Sequence, residues 1–177
     1  LEILSLTKNL PEELHAEIQK NKAKETMNVL FDTIKPRMEF TKIFMALSNA
    51  GYRLALASNA VRSTVETALD CLELRKYFDV IYSNEDVKRP KPNFEMYFKI
   101  MMDLNSKPNE TLILEDSHIG RQAVMDAGCH LLPVIDSYDV KLEKIEAKLA
   151  ELNKQIIVRV PWRSSKMNVL IPMAGAG

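Results

Sequence analysis

Three short stretches of this 177-residue chain combine residue types that can bind phosphate and a metal ion. The apolar run Leu-Ala-Leu-Ala ends in Ser58 and Asn59, and the run Leu-Ile-Leu ends in Glu115 and Asp116. Between these runs, a loop contains Lys91. A hydroxyl and an ammonium donate to phosphate oxygens, while adjacent carboxylates are costly to bury unless they bind a cation such as Mg²⁺. The combination is typical of a phosphoryl-transfer site.

Each stretch also has a structural explanation when it is taken alone. Ser58 precedes a helical pattern and fits an ordinary N-cap, and either Asp116 or Ser117 fits the cap of the helix that follows them. Lys91, with its neighbours Lys88 and Arg89, fits a solvated basic loop. A receiver domain of two-component signalling also combines acids, a hydroxyl and a Lys-Pro pair. Its acidic pair comes first and its lysine last, an order that this chain does not follow, so that class is excluded.

Alternating strand and helix patterns surround these stretches and predict a three-layer α/β fold with a parallel sheet. The predicted strands cover residues 52–58, 78–83, 111–115, 130–135 and 155–160, and the predicted helices cover 11–31, 39–50, 63–74, 93–104, 119–128 and 140–152. Ligands of open parallel sheets bind at the carboxyl ends of the strands. Ser58, Lys91 and Asp116 are therefore expected at one edge of the sheet.

In order and spacing, the three stretches resemble motifs of the haloacid dehalogenase-like hydrolases, in the subgroup of β-phosphoglucomutases and small-sugar phosphatases. "LALASNA" resembles the second motif, with Ser58 as the phosphate-binding hydroxyl, and "VKRPKPNFEMY" resembles the third, with Lys91 as its lysine. "LILEDSHIGRQAVMDAG" resembles the fourth, whose acids bind magnesium, here Asp116 and Glu115. The resemblance covers roughly residues 39–136. It implies a Rossmann-like parallel sheet and a helical cap.

The resemblance also implies an activity, that of a Mg²⁺-dependent phosphatase acting on a small phosphorylated metabolite such as a sugar phosphate. Ser58 and Lys91 would contact the transferred phosphoryl group, which an aspartate attacks to give an aspartyl-phosphate. Asn59 and Arg62 would add an amide and a positive charge to phosphate binding, or would simply begin the next helix. A phosphosugar mutase of the same family and an inactive binding or interaction module are the alternatives.

The attacking aspartate of this family belongs to an Asp-x-Asp motif on the first strand, and no Asp-x-Asp occurs in this chain. Asp32 follows no apolar strand and is interpreted as a surface or capping residue. The first strand is therefore expected before Leu1, with residues 1–38 as the latter part of the cap and 39–160 as the core. Lacking a central strand, the chain alone is expected to self-associate, to bind Mg²⁺ weakly and to show no phosphatase activity.

Residues 161–177 are interpreted as a linker and the possible start of another domain. From Met167, a short apolar strand followed by glycines resembles the opening of a sugar nucleotidyltransferase, and a terminal tail fits equally well. The first interpretation implies a fusion of a phosphatase with a nucleotidyltransferase domain.

The composition and the pattern of apolar residues argue against nucleic acid and membranes as partners, and the cysteine count indicates the compartment. The 24 Lys and Arg residues balance the 24 Asp and Glu residues, so no overall field attracts nucleic acid or an anionic membrane. No apolar run approaches the roughly 20 residues that span a bilayer, and no signal peptide is recognisable. Two cysteines are too few for a disulfide framework, which predicts a reducing, cytoplasmic location.

Overall fold

The computed structural model describes residues 35–159 and 168–171 of the chain. The predicted helix 11–31, most of the predicted cap and Asp32 lie outside the described residues. Within the described residues, no helix is long and apolar enough to cross a membrane.

Five strands, spread along the described residues, form a single parallel sheet. They are β1 (Leu54–Ala57), β2 (Val80–Tyr82), β3 (Thr111–Glu115), β4 (His130–Pro133) and β5 (Asn168–Ile171). Their order across the sheet is β2-β1-β5-β3-β4. In this register Ala55 pairs with Val80 and Leu170, and Ile113 pairs with Leu131 and Leu170. Because the strands are parallel, all their carboxyl ends meet at one edge, and the predicted sheet is confirmed.

Helices pack on both faces of this sheet. They are α1 (Met38–Asn49), α2 (Arg62–Cys71), α3 (Glu95–Asp103), α4 (His118–Asp126) and α5 (Leu142–Arg159). Gly51 and Gly128 follow α1 and α4 with φ values of 82° and 69°, a left-handed conformation that glycine adopts without a steric penalty. The predicted helix ends at these two glycines are thus confirmed.

Two apolar layers hold the helices against the sheet, because successive strand residues point to opposite faces. On one face, Leu54 and Leu56 of β1 join a cluster with buried side chains of α1, α2 and α5. On the other face, Ala55 and Ala57 join a cluster with side chains of α3 and α4, including Tyr97. Each fully buried Leu or Ile stabilises such a core by about 1.5–3 kcal/mol.

The expectation that the sheet lacks a central strand is wrong. β5 lies between β1 and β3, although its residues belong to the 161–177 segment that the sequence assigned to a linker or another domain. A physical reason is that β1 and β3 both present backbone N–H and C=O groups to this position. Leaving a buried backbone group unpaired costs about 1–3 kcal/mol, so an apolar segment of the same chain pairs there. The resemblance to a nucleotidyltransferase stays a prediction.

A strand predicted at 155–160 is also wrong, because residues 155–159 are the last part of α5. In the sequence, Ile156 follows Leu152 at the four-residue spacing that already separates Ile145 from Leu149. The apolar stripe of the helix thus continues into this segment, and helical periodicity outweighs the strand preference of its β-branched residues.

Candidate active site

The carboxyl ends of β1 and β3 bring the three main candidate residues together. Ser58 follows the last residue of β1, and Asp116 follows the last residue of β3. Lys91 Nζ donates hydrogen bonds to the Ala57 carbonyl at 3.2 Å and to Glu115 Oε2 at 3.0 Å. Since Ala57 and Glu115 are the terminal residues of these two strands, the ammonium of Lys91 lies between the strand ends.

Lys91 is a buried cation with a donor to spare. The residue is only 8% exposed, and its charge is paired with that of Glu115. An ammonium has three N–H donors, and hydrogen bonds to Ala57 and Glu115 use two of them. Among the described residues, none accepts from the third. This N–H can therefore donate to an anionic ligand in a place where water screens the charge little.

Glu115 is the buried carboxylate that holds Lys91. It is 1% exposed, and each of its oxygens accepts two hydrogen bonds. Oε2 accepts from Lys91 Nζ and from the Tyr97 hydroxyl at 2.9 Å, and Oε1 accepts from the backbone N and the Oγ of Ser117 at 3.0 and 2.8 Å. Burial raises the pKa of Glu115, but the charge and hydrogen bond of Lys91 outweigh it and keep the pKa below its usual range. The carboxylate is ionised at neutral pH, and its observed contacts are all with protein donors.

Asp116 is the carboxylate of the pair that is more open to solvent. It is half-buried, and its pKa is raised by burial and by the hydrogen bond and charge of the neighbouring Glu115. A cation beside Asp116 would relieve this repulsion. Within residues 35–159 and 168–171, no group of three His, Cys, Asp or Glu side chains could by itself enclose a metal ion.

Ser58 is buried at the end of β1, where its backbone is fixed by a neighbouring strand. It is 2% exposed, and its backbone N donates to the Tyr82 carbonyl at 2.9 Å. Its Oγ accepts a hydrogen bond from the Ala60 backbone N at 3.1 Å. In the part of the chain that the structure describes, the hydroxyl proton has no acceptor. Ser58 can therefore donate to a ligand oxygen.

The side chains of Asn59 and Arg62 both contact other groups of the protein. The Asn59 amide donates to the Lys91 carbonyl and accepts from the Lys91 backbone N, both at 3.0 Å, so that it fixes the loop that carries Lys91. Arg62 forms ion pairs with Asp86 and with Glu66, and the hydrogen bond to Asp86 raises the pKa of Arg62. Two carboxylates thus already compensate the charge of Arg62.

Three residues that support Glu115 were not among the predicted site residues. Tyr97 is the last residue of the stretch "VKRPKPNFEMY", which resembles the third motif. Ser117 Oγ accepts from the Gly120 backbone N and caps α4, one of the two predicted caps, and its bond to Glu115 was not predicted. A Cβ added at Gly120 would lie 2.0 Å from the carboxyl carbon of Glu115, so only glycine leaves room for this carboxylate. None of these contacts follows from spacing alone.

Glu95 shapes the basic loop from its other side. Its carboxylate accepts hydrogen bonds from the backbone N atoms of Lys88 and Arg89 at 3.0 and 3.1 Å, and these bonds lower the pKa of Glu95. The loop that carries Lys91 is therefore held by Asn59 at one end and by Glu95 at the other.

Comparison with known proteins agrees with this geometry. The sequence model of the haloacid dehalogenase-like hydrolases matches residues 3–134, which include Ser58, Lys91 and Asp116. This chain belongs to the haloacid dehalogenase-like hydrolase family. The matched region ends before β5. Family membership confirms the resemblance drawn from the three motifs.

Two curated relatives match parts of the chain. The pyrophosphatase PpaX of Bacillus mycoides is 36% identical over 72 residues, which are 41% of this chain and 34% of that protein. A phosphorylated carbohydrates phosphatase of Thermotoga maritima is 33% identical over 95 residues, which are 54% of this chain and 41% of that protein. The chain thus spans less than half the length of either relative.

A solved structure supports the fold. The β-phosphoglucomutase of Clostridium difficile superposes with a TM-score of 0.71 at 18% identity, over 89% of this chain and 76% of that one. At this identity the likeness concerns the fold alone, and it agrees with the three-layer architecture.

Proposed function

We propose that this chain carries the phosphate-binding part of a Mg²⁺-dependent phosphate-monoester hydrolase that acts on a small phosphorylated metabolite. The observation that supports it most is the buried Lys91–Glu115 ion pair at 3.0 Å, in which the third N–H of Lys91 has no acceptor among the described residues. A sugar phosphate is the proposed substrate, because one curated relative is named a phosphorylated carbohydrates phosphatase.

In this proposal, catalysis consists mainly of positioning and charge neutralisation, as in other phosphoryl transfers. Ser58 donates to one phosphoryl oxygen, and Lys91 donates to another and balances its charge. Asn59 keeps the Lys91 loop in place. The attacking aspartate is assigned to a strand outside these 177 residues, because no Asp-x-Asp occurs within them.

Mg²⁺ fits the donors at this edge of the sheet. The ion is usually bound by one or two carboxylates together with water and substrate phosphate, and a dedicated protein cage is not needed. Asp116 would be the carboxylate that holds it, and Glu115 would contribute through its effect on Asp116 and Lys91. When bound, the ion supplies positive charge to the phosphate oxygens.

A second candidate function is that of a phosphate-binding module without hydrolysis. It is favoured by β5, which occupies the sheet position between β1 and β3, the two strands that Ser58 and Asp116 follow. The sequence after β5 is Pro-Met-Ala-Gly-Ala-Gly, which contains no carboxylate, hydroxyl or thiol that could attack phosphorus.

Binding of inorganic phosphate to the 177-residue chain, measured by calorimetry, tests the phosphate site. We expect Ser58→Ala to weaken binding about tenfold, since one hydrogen bond to a charged group is lost. The paired change Lys91→Met with Glu115→Gln removes the cation without leaving a buried carboxylate unpaired, and should weaken binding at least about tenfold. The control Lys107→Met changes an exposed lysine before the amino end of β3 and should bind as wild type. Unchanged binding in both site variants would contradict the proposal.

Turnover of a chromogenic phosphate ester separates the two candidate functions. The 177-residue chain is expected to bind phosphate without turnover, and a protein extended by the upstream coding sequence is expected to hydrolyse the ester. Binding without turnover in the extended protein would favour the binding module. Turnover by the 177-residue chain would mean that it contains the attacking group, and Asp32 would be substituted first.

Dependence of phosphate binding on Mg²⁺ tests the role of Asp116. We expect millimolar Mg²⁺ to strengthen phosphate binding to the wild-type chain, and Asp116→Asn to abolish this gain while metal-free binding persists. Asp126→Asn is the matched control, since Asp126 is an exposed acid in the last turn of α4. If Asp116→Asn still responds to Mg²⁺, another residue holds the ion.

A further inference from the structure

Tyr97 is a fully buried titratable residue that contacts both members of the Lys91–Glu115 pair. Its hydroxyl donates to Glu115 Oε2 at 2.9 Å, and this oxygen also accepts from Lys91 Nζ at 3.0 Å. The Lys91 ammonium lies 5.3 Å from the centroid of the Tyr97 ring, within the range of a cation–π interaction. A single side chain thus interacts with the anion through its hydroxyl and with the cation through its ring.

The position of the Tyr97 hydroxyl is fixed by the core. Tyr97 belongs to α3, is 0% exposed and packs in the apolar layer that contains Ala57 and Ile113. Burial and the negative charge of Glu115 raise the pKa of Tyr97, so the hydroxyl keeps its proton and remains a donor at neutral pH. A rigid donor of this kind locates its acceptor without a large loss of side-chain entropy.

We propose that Tyr97 is a positioning residue that, by donating to Glu115, holds Lys91 where its remaining N–H reaches the phosphate. This inference rests on the proposed function. With the Tyr97 bond present, the charge of Glu115 is shared among hydrogen bonds from Tyr97, Ser117 and Lys91. Without it, more of that charge falls on Lys91, which is then drawn towards Glu115 and offers the phosphate a weaker field.

The variant Tyr97→Phe removes only the hydroxyl and keeps the ring that fills the core. The hydrogen bond from Tyr97 to Glu115 is lost, and this loss affects phosphate only through Lys91. We therefore expect phosphate binding to weaken by about three- to tenfold. Tyr82→Phe is the matched control, because Tyr82 also donates to a carboxylate, that of Asp103 at 2.8 Å, but at the surface. It should bind phosphate as wild type does.

The ¹⁵N NMR signal of the Lys91 ammonium supplies a readout that a purely structural role would not change. In Tyr97→Phe this signal should shift and its protons should exchange faster with water, whereas in Tyr82→Phe both should match the wild type. An unshifted signal together with wild-type phosphate binding overturns the inference but leaves the proposed function standing if Ser58→Ala still weakens binding. Failure of the wild-type chain to bind phosphate overturns the proposed function, and with it this role of Tyr97.

A double-mutant cycle with Glu115→Gln decides whether Tyr97 acts through Glu115. If it does, the double variant should bind phosphate no more than about twofold worse than Glu115→Gln alone, since the residues share one pathway to Lys91. Losses that add fully would show that Tyr97 affects the site by packing, and would overturn the inference.

Discussion

Two adjacent carboxylates at the end of β3 have opposite environments. Glu115 is buried against Lys91, which lowers its pKa, while burial and the charge of Glu115 raise the pKa of Asp116. Neighbouring acids whose pKa values are pushed apart in this way commonly have different roles. Glu115 is suited to fixing a cation of the protein, and Asp116 is suited to binding a cation from solution.

The Glu115 carboxylate has room because Gly120 has no side chain. Gly120→Ala would place a Cβ 2.0 Å from the carboxyl carbon, and hydrogen bonds from Lys91, Tyr97 and Ser117 prevent that carboxylate from moving easily. In an ordinary helix, this change stabilises by roughly 1 kcal/mol. Here we expect it to lower the free energy of unfolding in urea by about 1–3 kcal/mol, as overpacking does.

The same substitution should also weaken phosphate binding, because a displaced Glu115 no longer holds Lys91. Gln122→Ala, at an exposed position of the same helix, is the control and should leave both measurements close to wild type. An increase in stability in Gly120→Ala would show that the carboxylate of Glu115 has room to move.

At the scale of elements, the strands that carry the site could be predicted from the sequence, because a strand that is buried on both faces is mostly apolar. β1 and the centre of β3 are apolar runs, and both strands are buried on both faces; β1 stops before Ser58, and β3 stops at Glu115, before Asp116. In a parallel sheet the carboxyl ends share an edge, so the meeting of these residues follows from the pattern alone. The same reasoning placed Lys91 at this edge.

Contacts between side chains of different elements could not be predicted in this way. Arg62, predicted either to bind phosphate or to begin the next helix, is the first residue of α2, and its ion pairs with Asp86 and Glu66 do not follow from the pattern. The bond from Tyr97 to Glu115 depends on how deeply α3 packs on the small residues of β1. Such contacts are set by packing distances and rotamers, about which periodicity carries no information.

At the scale of the whole molecule, the two halves of the site are joined through β5. Ser58 follows β1 and Asp116 follows β3, yet these two strands do not pair with each other in the described sheet. Both pair with β5, so its backbone sets the spacing between them. The family match ends at residue 134, so the central strand comes from a part of the chain that the match does not include.

Proline at Leu170 tests whether β5 closes the sheet. Leu170 pairs with Ala55 on one side and Ile113 on the other, and a proline there removes a backbone donor from a strand with neighbours on both sides. We expect Leu170→Pro to lower the free energy of unfolding by about 2 kcal/mol or more and to weaken phosphate binding, because the strand ends are no longer held in register.

Lys141→Pro is the matched control, since Lys141 is exposed, directly precedes α5 and donates no backbone hydrogen bond within the described residues. Proline is tolerated where a helix begins, so this variant should remain as stable as wild type. Amide hydrogen exchange adds a local measurement, because Ala55 and Ile113 should exchange faster in Leu170→Pro than in Lys141→Pro. Wild-type stability and exchange in Leu170→Pro would show that the helices alone hold the two halves of the site together, and that β5 contributes nothing to their spacing.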